Sequence, residues 1–94
     1  MKGFADHLAQ VNGQEIACST GGSGPALLLL HGFPQTRALW WQVAPRLADR
    51  FTVVTADLRG YGGSAKPTGV ESYTFREMGR DMAALMAHFG HDRF

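Results

Sequence analysis

The sequence predicts an α/β fold in which a β-hairpin is followed by strand, helix, strand and helix. Three observations predict it. Ala26-Leu27-Leu28-Leu29-Leu30 is an unbroken apolar run, too short for a helix, as in a central strand that helices cover on both faces of a parallel sheet. Phe51-Thr52-Val53-Val54-Thr55-Ala56 is a second, β-branched run bounded by polar residues. Between them lie apolar residues at helical spacing, and a strand-helix-strand connection is a right-handed crossover that leaves its two strands parallel.

Each element has its local cause. His7 to Val11 and Gln14 to Thr20 flank Asn12-Gly13, the pair suited to the two positive φ angles of a type I′ turn, so they form the hairpin. Gly21-Gly22-Ser23-Gly24-Pro25 is a flexible break before the apolar strand, and Gly32-Phe33-Pro34 ends that strand. Leu39, Trp40, Val43 and Leu47 then recur at helical spacing, with Thr36 as a candidate N-cap. Pro45 falls inside this stretch, so a kinked helix is expected over about 37–49. Asp57 to Pro67 is a Gly-rich loop.

Thr74-Phe75-Arg76-Glu77 is a capping box, and Phe75, Met78, Met82, Leu85, Met86 and Phe89 follow as one apolar stripe. Arg76, Glu77, Arg80 and Asp81 fall away from that stripe, and Gly90 supplies the C-terminal stop. The stripe calls for a further strand, which Asp92-Arg93-Phe94 only begin. The chain is therefore expected to be one truncated domain over 1–94.

Composition excludes several functions. Nine Lys+Arg against eight Asp+Glu give a net charge of +1, which leaves no basic excess for nucleic acid. With 45% hydrophobic and 18% charged residues, the chain is built for a core. The single Cys18 cannot form an internal disulfide and reads as a small buried hydrophobe. Four histidines without paired ligand spacing give no metal site, and no cofactor motif survives its context test. His88 and His91, near a helix end, read as partners of its C-terminal dipole. With no signal peptide and no apolar stretch long enough to span a bilayer, the expected location is cytoplasmic, without a membrane partner.

Two loops carry candidate chemistry. His31-Gly32-Phe33-Pro34-Gln35 stands at the carboxyl end of a predicted strand, where ligands bind in open α/β sheets. A backbone N–H there can stabilise developing negative charge; from spacing alone, an ordinary βα turn with His31 hydrogen-bonded into the loop is the better fit. In Asp57-Leu58-Arg59-Gly60-Tyr61-Gly62-Gly63-Ser64, residues Gly60, Gly62 and Ala65 formally match a dinucleotide fingerprint. No helix opens at the third small residue, and no strand ends in an acid at the required distance, so a dinucleotide-binding module fails. Asp57 beside Arg59 reads as a loop-fixing ion pair. Gly90-His91-Asp92-Arg93 imitates the start of a nucleophile elbow but follows a helix rather than a strand. Ser23 and Ser64 lack the closing glycine of such an elbow, so no catalytic residue is assigned.

Taken together, Leu27 to Pro34 and Asp57 to Ser64 resemble the α/β-hydrolase superfamily, over nearly the whole chain. The closest resemblance, in His31-Gly32-Phe33-Pro34-Gln35, Trp40, Val43-Ala44-Pro45 and Ala56 to Ser64, is to fluoroacetate (haloacetate) dehalogenases; soluble epoxide hydrolases share most of these residues. The resemblance implies the N-terminal part of that fold, with the nucleophile-bearing central strand, the rest of the sheet and the cap domain all missing. It implies that His31, Gly32, Phe33 and Pro34 form the oxyanion-hole loop, with the Phe33 N–H facing substrate, a cis Phe33-Pro34 bond and a structural His31. The loop of Asp57, Arg59, Gly60 and Gly62 would brace it. In the parent enzyme an Asp nucleophile attacks carbon of a small-molecule substrate, and a His-activated water hydrolyses the resulting ester. Both catalytic groups would lie beyond Phe94, so the 94-residue chain is expected to be inactive alone. Other readings are a piece of an epoxide hydrolase or related hydrolase, and a non-catalytic chain that complements a partner. An apolar strand edge left unpaired would make the isolated chain self-associate.

Overall fold

Asn12 and Gly13 both take positive φ, 49° and 72°, and fold the first two strands back on each other. In the computed structural model, which describes residues 3–31, 40–69 and 73–94, β1 (Phe4–Val11) and β2 (Gln14–Gly22) pair antiparallel, with Val11 opposite Gln14. Both strands run beyond the lengths that sequence predicts, β1 starting at Phe4 and β2 ending at Gly22. β3 (Ala26–Leu30) and β4 (Thr52–Ala56) are parallel, with Leu30 opposite Ala56, and β2 pairs antiparallel with β4. The sheet order is β1-β2-β4-β3.

The second apolar run is buried as expected, whereas the first is less covered than expected. Ala26–Leu30, predicted as a central strand, is an edge of this sheet: Ala26 to Leu29 are half-buried and Leu30 is 42% exposed. β4 is interior and carries the buried residues Val53 to Ala56. An apolar run reports what a strand is built to touch, whereas its position depends on which neighbours pair with it.

The helix expected over 37–49 is corrected to α1 (Ala44–Leu47), one turn preceded by a turn at 41–43. Pro45 explains the boundary. In the first helical turn its missing N–H costs nothing, whereas further inside it would clash with the turn before it. The expected cap Thr36, Leu39 and the helical start at 37 lie outside the described residues.

α2 (Phe75–His88) starts where the sequence places it, with the Glu77 N–H donating to Thr74 Oγ1 at 3.2 Å. The Glu77 carboxylate turns instead to Arg80 Nη1, at 3.0 Å. The helix ends in a Schellman turn: Gly90 N–H donates to Ala87 O at 2.9 Å and His91 N–H to Met86 O at 2.8 Å. Met82, Leu85 and Met86 pack on Ile16, Cys18, Val54 and Ala56 of the sheet to form the core. Val53 and Thr55, alternate residues of β4, are buried on the opposite face, and α1 packs against β2 and β4.

Two members of the expected pattern on α2 behave differently. Phe75, assigned to the apolar stripe, is 92% exposed, and Asp81, assigned to the polar side, is fully buried. Phe75 sits nearly two turns before Met82, the first core residue of the helix, beside a hollow of about 450 Å³ that runs between β3 and α2. Among the described residues, no helix is long and apolar enough to cross a membrane.

Candidate functional site

The parallel pairing of Leu30 with Ala56 places the carboxyl ends of β3 and β4 side by side. His31 therefore leaves β3 next to Asp57 leaving β4, and both are buried, at 5% and 1% exposure. His31 Nε2 accepts the Leu58 N–H at 3.0 Å, which fixes the imidazole tautomer with its proton on Nδ1. Its ring meets the edge of Tyr61, with centroids 5.2 Å apart. The first candidate loop is thus tied at its root to the second. Gly32, Phe33 and Pro34, with the Phe33-Pro34 bond, lie outside the described residues.

The second loop is built on main-chain geometry. Tyr61 N–H donates to Leu58 O and Ser64 N–H to Tyr61 O, each at 3.0 Å, giving two successive tight turns. Asp57 Oδ2 accepts the Gly63 N–H at 3.1 Å, and Gly60 N–H donates to Ala65 O at 2.7 Å. Gly62, at φ 50°, is required by that closure, because a Cβ there would overlap the Asp57 carboxylate. Ser64 Oγ donates to Asp57 O and accepts the Ala17 N–H at 2.9 Å. Asp57 N–H donates to Ala17 O at 2.9 Å, and Ala65 N–H to Glu15 O at 2.8 Å. The loop thereby takes over, along the first half of β2, the hydrogen bonding that β4 performs along the second half.

The ion pair expected between Asp57 and Arg59 is corrected. Arg59 turns away and binds Asp81 of α2, with Nε to Oδ2 and Nη2 to Oδ1 both at 2.6 Å. Adjacent residues of a tight turn project in different directions, and the Asp57 carboxylate is taken up by the backbone inside its own loop. Asp81 Oδ1 also accepts the Asn12 side-chain amide at 3.0 Å, and the Glu77 carboxylate lies 4.0 Å from Arg59. Hydrogen bonding of its N–H groups to the Asp81 carboxylate is the main cause holding the Arg59 pKa above its ordinary value, against the opposing effect of burial. One buried carboxylate therefore joins the hairpin turn, the second loop and α2. Sequence patterning misses it because the apolar stripe marks Asp81 as solvent-facing; the only signal available was an acid one turn beyond Glu77 on the same side.

Among the described residues, no group of three or more His, Cys, Asp and Glu side chains could hold a metal ion. Cys18 is buried in the core. His88 ends α2 with its ring edge-on to Phe89, at 5.0 Å between centroids. The structure thus brings His31, Asp57, Gly60 and Gly62 together at two adjoining strand ends and sends the Arg59 side chain to α2. This arrangement can present backbone N–H groups at a sheet edge, while offering no assembled set of nucleophile, base and acid among the described residues.

Comparison with known proteins places this geometry. Residues 25–94 match a family described as alpha/beta hydrolase fold. The chain is 54% identical over 96 residues to a fluoroacetate dehalogenase of Burkholderia sp, covering 99% of this chain and 32% of that protein. It is 46% identical over 88 residues to the soluble epoxide hydrolase of Corynebacterium sp. (strain C12), covering 93% of this chain and 30% of that one. An epoxide hydrolase from an endophytic Streptomyces superposes with a TM-score of 0.92 at 34% identity, over 97% of this chain and 28% of that structure. The chain spans about a third of the length of the curated relatives it matches most extensively.

Proposed function

The chain belongs to the α/β-hydrolase family, and from that premise we propose that it is the N-terminal portion of a haloacetate dehalogenase-like hydrolase and supplies its oxyanion-hole loop. The observation that carries the reading is the pairing of the two strand ends, with the Leu58 N–H held by His31 Nε2. It roots His31, the first residue of the proposed loop, against a second loop that is itself stitched to β2. A preorganised N–H acts on a developing oxyanion without reorganising during the reaction, which is the condition for a large electrostatic contribution.

In this reading the remaining two thirds of the enzyme supply an Asp carboxylate that attacks the halogen-bearing carbon. The carbon–halogen bond breaks, and the halide departs with its electron pair. Water activated by a histidine then adds to the ester carbonyl, and the Phe33 N–H faces the oxyanion so formed. Collapse releases the hydroxy acid and regenerates the carboxylate. The first third alone binds no nucleophile into place and is inactive by itself. Dehalogenation is favoured over epoxide opening by the higher identity to the dehalogenase, 54% against 46%.

Two chimeras test the proposal, with residues 1–94 replacing the matching third of the Burkholderia dehalogenase or of the Corynebacterium epoxide hydrolase. The dehalogenase chimera is expected to release fluoride from fluoroacetate within about tenfold of its parent's kcat/KM, a loss of about 1.4 kcal/mol or less in transition-state binding. The epoxide hydrolase chimera is expected to lose more against its own parent. The reverse order, or turnover of either substrate by the 94-residue chain alone, would overturn the reading.

A further inference from the structure

The tip of the hairpin is tied to the helix behind it by a single side chain. Asn12 Nδ2 donates to Asp81 Oδ1 at 3.0 Å, across 69 residues of sequence. Asp81 is fully buried, and its two oxygens also hold Arg59, each at 2.6 Å. The tie needs an amide at position 12. Its NH2 group is the donor, and an ionised carboxylate in its place has no hydrogen to give. Asparagine is also a chemically labile residue. Asn12 is the only asparagine of the chain, and a glycine follows it. Both residues are exposed, and a Cβ at Gly13 would meet nothing within 4 Å, so solvent reaches the Gly13 N–H without obstruction. The strand pairing closes at Val11 and Gln14, so the two turn residues can change their dihedrals without opening the ladder.

We propose that Asn12 is a site of spontaneous deamidation, and that the reaction turns the hairpin's bond to Asp81 into a charge repulsion. The Gly13 backbone nitrogen, its proton passing to solvent base, attacks Asn12 Cγ. The new N–Cγ bond closes a five-membered imide, the Cγ–Nδ2 bond breaks, and ammonia leaves after regaining a proton from solvent. Water then adds to one of the two imide carbonyls and cleaves its bond to the nitrogen, leaving aspartate or isoaspartate. Nothing is oxidised or reduced, and the only co-reactant is water.

Either product sets a carboxylate where the amide stood, beside a carboxylate that is itself buried. The local cation is already committed. Arg59 gives Nε and Nη2 to Asp81, and the Glu77 carboxylate lies 4.0 Å from the same Nη2. Glu77 in turn is bound by Arg80 at 3.0 Å. A further negative charge therefore meets an acidic surplus, and a like charge at close range disfavours the ionised form of its neighbour. Isoaspartate also lengthens the main chain by one carbon inside a turn whose length sets Val11 opposite Gln14. Deamidation thus releases the hairpin from α2 and loads the ion pair that joins α2 to the second loop. It also takes the net charge of the chain from +1 to zero, which makes the acid forms separable by ion exchange.

Incubation of the purified, folded chain in mildly alkaline buffer, followed by peptide mapping with mass spectrometry, tests this without any variant. Fragment ions assign the amide-to-acid mass gain to residue 12 rather than to Gln10 or Gln14, and the chain has no Asp-Gly pair as a second source of isoaspartate. Both acid forms are expected to accumulate at residue 12. In urea, the separated acid forms and the variant Asn12→Asp are expected to show an unfolding equilibrium constant raised about tenfold or more, the size set by losing a hydrogen bond to a charged group. In the Arg59→Met/Asp81→Leu background, where no carboxylate stands at position 81, Asn12→Asp is expected to raise it by less than about threefold. Residue 12 remaining an amide in the folded chain after a urea-unfolded sample has converted, acid forms with an unchanged urea midpoint, or an equal effect of Asn12→Asp in the two backgrounds would each overturn the proposal.

Discussion

Removing the Asp81 carboxylate is the most informative single perturbation of this fold. Asp81→Ala deletes two charge-assisted bonds to Arg59, both 2.6 Å, and one from Asn12 at 3.0 Å. It leaves a guanidinium only 4% exposed without its principal counter-charge. Stranding one member of a buried pair costs about 3–5 kcal/mol. A chain of this length has about 5–14 kcal/mol in all, so the change takes between a fifth and nearly all of it. At about 4–8 °C per kcal/mol for a small domain, the melting midpoint falls by at least ~12 °C. Urea unfolding of the wild type, Asp81→Leu, Arg59→Met and the double variant, followed by circular dichroism, measures the coupling. The double variant is expected to recover most of the loss, because an apolar pair of similar volume needs no counter-charge. Salt should change the Asp81→Ala loss little, since a buried pair is weakly screened. Arg59 is held above its ordinary pKa, so its contribution is complete below the unfolded value and declines only as pH rises through the folded one. The loss should therefore be constant from about pH 7 to 10. A coupling energy under about 0.5 kcal/mol, the level of independent sites, would refute the assignment of Asp81 as the joint of three elements.

Further outcomes follow from the second loop and the helix start. Ser64→Ala removes a hydroxyl that serves both Ala17 N–H and Asp57 O, and leaves both buried, so a loss of about 1–3 kcal/mol is expected in urea melts. Gly62→Ala should destabilise more than Gly13→Ala in the same assay, because a Cβ at 62 meets the Asp57 carboxylate whereas at 13 it meets nothing. Equal losses would mean that the Asp57 side chain moves freely. Thr74→Ala should cost about 1 kcal/mol through the lost cap on Glu77 N–H, read as a lower thermal midpoint.

Much of the architecture is legible in the residues because its causes are local. Asn12-Gly13 states its turn, Thr74 and Glu77 state a helix start, and β-branched residues from Thr52 to Thr55 state a strand. Of the helix expected over 37–49, the described residues from Trp40 onward keep only Ala44–Leu47 as α-helix, because apolar spacing counts candidate contacts and takes no account of where Pro45 is tolerated. Of the candidate site, the sequence marks His31 and Asp57 to Ser64 as two strand-end loops. It cannot show that Leu58 N–H meets His31, since that contact spans 27 residues and exists only once β3 and β4 are in register.

Residue order alone thus determined the kinds of element and their succession, because dihedral preference, capping and side-chain period act within a few residues, while the α/β-hydrolase family was legible only as the resemblance of two loop motifs. The tertiary structure alone decided that Arg59 answers Asp81 rather than Asp57, and that Asp81 is buried while Phe75 is exposed. The reason is physical: burial and charge pairing depend on which surfaces meet across the chain, and a buried carboxylate is tolerable only where distant donors converge on it.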